Sequence, residues 1–231
     1  MTGLKKIFNY NKWQIAFIAV FTLTNSIALK PINAAPAKHV MAITAEIPLK
    51  AFEGIYQQKE NEFRVYKVVT DGDKLVAQQL GGDQKLTLTR KSDLEFEFLD
   101  DDGDEKIPVV FSKNEAGEIA QITLGGRQIW TKIKSYTPPK EIQLQPEQIK
   151  VLAGKYQSDE RADLFLTITA IPDGLTLKQS WDGKEINFKP LSDVLFLNQA
   201  FGFPLKFTKD ASGNPVKVLA FNRDTWNKVK E

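Results

Sequence analysis

The run Asp100–Glu105 contains the densest group of potential metal ligands in the chain. Its alternate carboxylates, Asp100, Asp102 and Asp104, can surround Ca²⁺ with oxygen atoms. A solvated hairpin tip is the alternative, because Asp and Gly favour turns without any metal. Counted from Asp100, the run lacks the distal glutamate of an EF-hand, and the corresponding segment of the second half, residues 198–202, has no carboxylate. We therefore predict a plain turn and no metal site.

Residues for nucleophilic catalysis are scarce. No serine has a lysine three positions later, and no Gly-x-Ser-x-Gly sequence occurs. The single histidine, His39, lies near the N-terminus, and the chain has no cysteine. Ser-His-Asp, Cys-His and zinc chemistry are therefore not expected in the folded part of the chain. A pair of carboxylates could still hydrolyse a glycoside, but no pair in the sequence suggests it. We predict that the protein is not an enzyme and uses no cofactor.

Each half of the chain repeats the same aromatic and basic residues. A tyrosine follows glycine in the opening strand, and a tryptophan follows an arginine in the closing strand. In a closed barrel these strands are neighbours, so the tyrosine can pack on the tryptophan while the arginine covers a ring. The alternative is that the rings line a ligand pocket. Because both halves keep the set, we predict structural closure by Tyr56, Arg127, Trp130, Tyr156, Arg223 and Trp226.

Three aromatic residues of the second half have no equivalent in the first. Trp181 stands at a turn, and Phe201 and Phe203 flank a glycine at a hairpin tip where the first half is acidic. Apolar groups at turns often mark a contact surface. They can instead cover a barrel mouth, or form the lip of a small-ligand site. We predict these three as binding residues and leave open whether they contact a partner, the other half or a ligand.

The chain consists of two copies of one unit. Leu49–Gln57 matches Ile149–Gln157 at an offset of 100 residues, and Arg127–Lys134 matches Arg223–Lys230 at an offset of 96. The second copy therefore has four residues fewer, between Phe196 and Phe207. We predict two domains, residues 46–134 and 148–231, joined by a proline-containing linker at residues 135–147.

Both copies have the sequence pattern of antiparallel sheets. Eight short runs of alternating or β-branched residues recur in each, separated by Gly, Asp and Asn turns such as Asp71-Gly72, Asp173-Gly174 and Asp182-Gly183. Only residues 47–52 and 146–152 favour a single helical turn. Closure into a barrel removes exposed edges. The predicted fold is all-β, with two tandem antiparallel barrels of about eight strands, each either filled by side chains or holding one small ligand.

The repeated motifs resemble those of a known accessory module. They are Gly-x-Tyr in the first strand, Phe-x-Lys-(Asn/Asp)-x-x-Gly before the penultimate strand, and a tryptophan in the last strand. The combination resembles the lipocalin-like all-β domain found C-terminal to β-lactamase-related, penicillin-binding-protein-like serine hydrolases. In that family the module follows a catalytic domain and shapes access to its active site. This sequence carries the module twice and carries no such catalytic domain.

The N-terminus has the layout of an export signal. Lys5, Lys6 and Lys12 precede an apolar run from Ile15 to Leu23. A membrane anchor is the alternative, but it requires about 20 continuous apolar residues. We predict a signal peptide and flexible start over residues 1–37, followed by a periplasmic or extracellular protein without a stable membrane span. An exported chain without cysteine fits a bacterial envelope protein.

Charge excludes one class of partner. Residues 49–134 carry a net charge of −3 and residues 149–230 a net charge of +3, without a basic stripe in either copy. Nucleic acid is therefore not an expected partner. We predict a non-catalytic binding or interaction module of the cell envelope, with a serine hydrolase or another envelope protein as partner. The alternative is a carrier of a small apolar ligand, held in a barrel mouth or between the copies, which requires a cavity of several hundred Å³.

Overall fold

A computed structural model describes residues 46–100 and 103–230 as two closed antiparallel barrels of eight strands each. This confirms the predicted fold class. The segment predicted as a signal, together with His39, lies outside the described residues. No helix within the described residues is long and apolar enough to cross a membrane.

The first barrel follows a turn of 3₁₀ helix, Leu49–Phe52, and is a simple meander in which each strand pairs with the next and the eighth pairs with the first. Its strands are β1 (Gly54–Gln58), β2 (Asn61–Asp71), β3 (Lys74–Gln79), β4 (Lys85–Arg90), β5 (Glu95–Leu99), β6 (Lys106–Lys113), β7 (Ile119–Leu124) and β8 (Gln128–Ile133).

The second barrel repeats this order after a short helix, α1 (Pro146–Lys150). Its strands are β9 (Gly154–Ser158), β10 (Phe165–Ile171), β11 (Gly174–Gln179), β12 (Glu185–Pro190), β13 (Leu195–Asn198), β14 (Phe203–Lys209), β15 (Pro215–Ala220) and β16 (Asp224–Lys228). The two predicted helical turns are therefore confirmed, with slightly shorter bounds.

The linker is partly attached to the second barrel. The backbone N–H of Ile142 donates a hydrogen bond to the carbonyl oxygen of Pro190 (2.9 Å), and Leu144 packs against the second core. The extended linker therefore covers part of the second barrel before α1 begins at Pro146.

Lysine side chains lie across the closing strands and explain the Gly-x-Tyr motif. Tyr56 on β1 lies opposite Lys132 on β8, whose Nζ is 5.7 Å from the centre of the tyrosine ring. A Cβ at Gly54 would come within 2.3 Å of Cε of Lys132. Glycine is favoured here mainly because its φ of 156° is one that L side chains rarely adopt, and the lysine stem passes close over its Cα. Gly154 and the Lys228 stem repeat the arrangement in the second barrel.

The same tyrosines fasten the helical turns to the closed end of each barrel. Tyr56 donates a hydrogen bond from its hydroxyl to the carbonyl oxygen of Phe52, and Tyr156 donates one to that of Leu152; both measure 2.7 Å. All four side chains are fully buried. Around Phe52, edge-to-face contacts with Phe96 and Phe111 fill the end of the first barrel.

The four-residue difference between the copies lies in one hairpin. Phe98 pairs with Ile107 across β5 and β6, whereas Asn198 pairs with Phe203 across β13 and β14. The segment between the paired residues is therefore four residues longer in the first barrel. Phe203, predicted at the hairpin tip, is instead the first residue of β14, because the shorter loop lets the ladder continue to it.

Gly174 was predicted to be a turn glycine, but it is required for a different reason. Gly72 and Gly183 adopt the positive φ values expected in their turns, 62° and 69°. Gly174 does not; it lies in β11, where a Cβ would stand 2.1 Å from the carbonyl oxygen of Phe188. Close approach between strands, and not turn geometry, therefore excludes a side chain there.

Removing either tyrosine hydroxyl should destabilise the barrel that contains it. In Tyr56→Phe the carbonyl of Phe52 stays buried without its donor, so we expect the free energy of unfolding to fall by about 1 kcal/mol. Tyr156→Phe should show the same loss in the second barrel. Urea titration followed by far-ultraviolet circular dichroism measures both, and two unchanged midpoints would contradict a structural role for the hydroxyls.

Alkaline pH should weaken the fold through the same groups. Burial raises the pKa of both Tyr56 and Tyr156 above the ordinary value of about 10. Because the unfolded chain releases these protons first, stability is retained below pH ~10 and falls as the pH rises above it, by up to about 1.4 kcal/mol per tyrosine and pH unit. Urea titrations at pH 8 and pH 11 should show a smaller fall in the Tyr56→Phe, Tyr156→Phe double variant; an equal fall would contradict this prediction.

Candidate functional site

The two barrels meet through their hairpin ends. In a meander the turns β1–β2, β3–β4, β5–β6 and β7–β8 lie at one end, and the contacts between the barrels come from this end of each. Asn61 Nδ2 donates to the carbonyl oxygen of Gly202 (2.9 Å), and Asn222 Nδ2 donates to that of Glu60 (3.4 Å). We call this contact, formed by residues 60–64 and 81–82 of the first barrel with 199–202 and 222 of the second, the seam.

Two glycines allow the backbones to approach closely at the seam. A Cβ at Gly202 would lie 2.7 Å from the carbonyl oxygen of Phe63 and 2.9 Å from Cγ of Arg64. A Cβ at Gly82 would lie 2.3 Å from the carbonyl oxygen of Ala200. Real Cβ atoms do not come this close to backbone, so the seam is packed like a protein interior.

The first barrel contains a cavity of about 400 Å³ that extends from its interior to the seam. Its inner wall is mainly apolar, and its outer wall carries polar and charged groups from the hairpins at this end. Arg223 belongs to the second barrel, so both copies form the site. The side chains on the wall are those of Tyr56, Arg64, Tyr66, Val68, Ala77, Gln84, Leu86, Leu88, Phe98, Asp100, Glu105, Ile107, Pro108, Val109, Ile122, Leu124, Arg127, Gln128, Trp130 and Arg223.

Side-chain size at several matching positions contributes to the cavity in the first barrel. The strand registers place β3, β4 and β6 of the first barrel on β11, β12 and β14 of the second. At five of the equivalent inward positions the second barrel carries the larger residue, and all five are buried. The pairs are Val68 and Ile168, Ala77 and Leu177, Leu88 and Phe188, Ile107 and Phe203, and Val109 and Leu205. At three other positions the first barrel carries the larger residue, in the pairs Tyr66 and Leu166, Ile122 and Val218, and Leu124 and Ala220.

Tyr56, Arg127, Trp130 and Arg223, predicted as closing residues with a pocket as the alternative, lie on the cavity wall, whereas its other residues were not predicted. The two copies align without ambiguity on their repeated motifs, and the differences in size at the aligned inward positions are visible there. A smaller residue at an inward position in only one copy was the sign of a less completely filled barrel.

The predicted binding residues pack within the second barrel. Trp181 stacks on Trp226, with ring centroids 5.8 Å apart, and Phe203 lies between Phe201 (5.6 Å) and Phe221 (5.0 Å). All of them belong to the second core or pack against it. Their rings cap this barrel, whereas the backbone of the same hairpin tip contacts the first barrel at the seam.

The prediction that Tyr56 packs on Trp130 was wrong. Gln58, and not Tyr56, lies opposite Trp130, because the register between β1 and β8 places Tyr56 opposite Lys132. Tyr66 contacts the Trp130 ring edge-to-face at 5.3 Å.

Arg127 and Arg223 were predicted to cover an aromatic ring at closure. Arg127 and Arg223 lie on the cavity wall, and Arg223 forms an ion pair with Asp224 (2.8 Å). The guanidinium over Trp130 belongs to Arg64 instead, at 5.1 Å from the ring centroid. In the second barrel the stacking partner of Trp226 is Trp181, not Tyr156.

The acidic loop forms a turn stabilised by one of its own carboxylates. Oδ1 of Asp100 accepts hydrogen bonds from the backbone N–H groups of Asp104 (2.8 Å) and Glu105 (3.0 Å). Asp102 lies outside the described residues. Within the described ranges no group of three or more His, Cys, Asp or Glu side chains is arranged to hold a metal ion. The described part of the loop is therefore a rim of the cavity, through Asp100 and Glu105.

Comparison with known proteins gives no further guide to this site: no family model matches the chain, and no curated protein matches it significantly. The functional inference therefore depends on the geometry of the cavity and the seam.

Substituting Gly202 should weaken the seam. Gly202 and Gly72 share a φ of 62°, but nothing lies within 4 Å of a Cβ at Gly72. Gly72→Ala therefore reports the backbone strain alone, and we expect Gly202→Ala to destabilise the chain by about 1–3 kcal/mol more because of overpacking. Urea titration of both variants measures the difference. Equal losses would contradict a tightly packed seam.

Proposed function

We propose that this chain is a non-catalytic binding protein that carries a small, mainly apolar molecule in the cavity of the first barrel, with the second barrel acting as its cover. The observation that carries the proposal is the cavity of about 400 Å³ in one copy, at a place where the other copy is filled by larger side chains. The volume is within the range of small-molecule sites, about 300–1,000 Å³.

The composition of the wall supports an apolar ligand. Its buried members include Val68, Leu88, Val109 and Ile122, with the aromatic Trp130 beside them. Apolar walls with a few polar groups at one end are typical of sites that bury most of a ligand's surface. The polar groups here are at the seam, where they can remain solvated or contact a polar end of the ligand.

The lining also supports a role without catalysis. Among the described residues, the cavity wall has no Ser, Thr, Cys, His or Lys side chain that can serve as a nucleophile or as a general base of ordinary type. Its two carboxylates, Asp100 and Glu105, belong to the same hairpin loop, and Asp100 is already a hydrogen-bond acceptor within its own turn.

The position of the aromatic tips favours a carrier over a pure interaction module. Trp181, Phe201 and Phe203 were predicted either to bind a partner, the other copy or a ligand, or to cover a barrel mouth, and their rings pack against the second core. We propose export to the periplasm or the exterior on the basis of the N-terminal basic and apolar sequence. An envelope protein or a serine hydrolase that receives or delivers the ligand remains part of this proposal.

Filling the cavity should abolish binding. The triple variant Ala77→Leu, Leu88→Phe, Ile107→Phe gives the first barrel the side chains of the second. With N-phenyl-1-naphthylamine as a neutral apolar probe, we expect wild-type fluorescence to rise on binding and the affinity of the triple variant to fall at least ~10-fold, since the ligand loses most of its buried area.

The matched control places extra bulk on the outside of the same barrel. Val110 is exposed on β6, next to the inward-facing Val109, so Val110→Phe should leave probe affinity unchanged. Folding of each variant is checked by urea titration. Equal probe affinity in the wild type and in a folded triple variant would contradict the proposed site.

A further inference from the structure

We propose that the ligand is a compact apolar molecule built on a ring system, and not an extended alkyl chain, and that Ala77 is the wall residue that makes room for it. The inference rests on the proposed function and identifies the shape class of the ligand. It depends on the depth of the cavity, on its width, and on the difference between the two copies at one position.

The cavity is shallow. Its wall takes alternate residues over the same length of chain on three strands, at positions 64–68 of β2, 84–88 at the start of β4 and 105–109 at the start of β6. This length corresponds to about 13 Å along a strand, and a strand tilt of about 35–45° reduces it to about 10 Å along the barrel axis. Tyr56, whose hydroxyl is bonded to the carbonyl oxygen of Phe52, closes the inner end.

The cavity is wide for this depth. A volume of about 400 Å³ over a depth of about 10 Å corresponds to a mean cross-section of about 40 Å². Apolar atoms in contact lie about 4.0–4.5 Å apart, so an extended alkyl chain occupies only about 20 Å². A straight chain would leave about half of the width unfilled, and wall atoms that face a gap lose their dispersion contacts. A ring system fills the width without the loss of conformational freedom that bending a chain requires.

The aromatic side of the wall has a fixed position. Tyr56 and Trp130 lie on the neighbouring strands β1 and β8. The hydroxyl of Tyr56 is bonded to Phe52, and its ring meets Phe111 edge-to-face at 6.0 Å. Trp130 is held by the edge-to-face contact with Tyr66. Because these rings are packed against one another, the width of the cavity is set before the ligand arrives, and a pre-formed site selects its ligand by shape.

Ala77 determines the width at β3. It is the one alanine among the described residues of the wall, and it pairs with Val68 on β2 and with Leu86 on β4, which both belong to the wall. Its counterpart Leu177 is fully buried in the second core. A leucine at this position therefore extends into the interior where the first barrel has space. Ala77 is thus the position at which a single substitution should narrow the cavity without shortening it.

The test compares two alcohols with the same number of carbon atoms, the cage adamantan-1-ol and the straight-chain decan-1-ol, by isothermal titration calorimetry on the full chain. We expect the wild type to bind the cage at least as tightly as the straight chain, although the straight chain has the larger apolar surface and burial alone would favour it. Ala77→Leu should lower the affinity for the cage at least ~10-fold and the affinity for decan-1-ol less than ~3-fold, because only the cage is overpacked in the narrowed cavity.

Gln78→Leu is the matched control. Gln78 follows Ala77 on β3 and is exposed on the outside of the barrel, so the same side chain is introduced without entering the cavity. Both affinities should equal those of the wild type.

The outcomes separate this inference from the proposed function. If the wild type binds neither alcohol nor N-phenyl-1-naphthylamine, the carrier proposal itself fails. If it binds the naphthylamine probe but neither alcohol, if it favours decan-1-ol, or if Ala77→Leu weakens both alcohols equally, the shape inference is overturned and the carrier proposal stands. Should Ala77→Leu not fold in urea titration, the wild-type order and the smaller substitution Ala77→Val, which should weaken the cage alone, decide between these outcomes.

Discussion

The limited diameter of a closed eight-stranded barrel is the constraint on which the rest of this structure depends. Such a barrel has room for its own side chains or for one small ligand, so the sizes of a few inward residues decide between a solid core and a cavity. Leu177, Phe188 and Phe203 occupy this interior in the second barrel. Ala77, Leu88 and Ile107 leave about 400 Å³ in the first. One fold thereby occurs once with a cavity and once with a filled interior.

The seam joins the barrel that has the cavity to the barrel that is filled. The first barrel opens at its hairpin end, and the second barrel presents its own hairpin end to it, so that Arg223 becomes part of the cavity wall. Because glycines at 82 and 202 allow backbone contact, the cover is closely packed. Opposite net charges on the two copies favour the same docking, although this contribution is screened by salt. Access to the cavity and contact between the barrels are therefore coupled by geometry.

Several residues show how far prediction from the sequence reached and where it failed. The repeated Gly-x-Tyr motif correctly indicated a closing strand, but the partner of Tyr56 is Lys132 and not Trp130, because the register between β1 and β8 cannot be read from spacing alone. Trp181 and Phe201 were recognised as unusual for turns, yet their rings turn inward onto Trp226 and Phe203. Arg64 was not noticed, since one arginine in a strand is ordinary until its burial is known.

The sequence by itself determined the duplication, the all-β class, the number of strands and the hairpin that differs by four residues, because strand alternation and turn chemistry are local properties of the chain. It also contained the differences in side-chain size that leave one barrel open. Only the tertiary structure decided that the hairpin ends face each other, that Arg223 reaches the cavity of the other copy, and that Arg64 is buried. These features depend on contacts between residues far apart in the chain, and no local pattern encodes them.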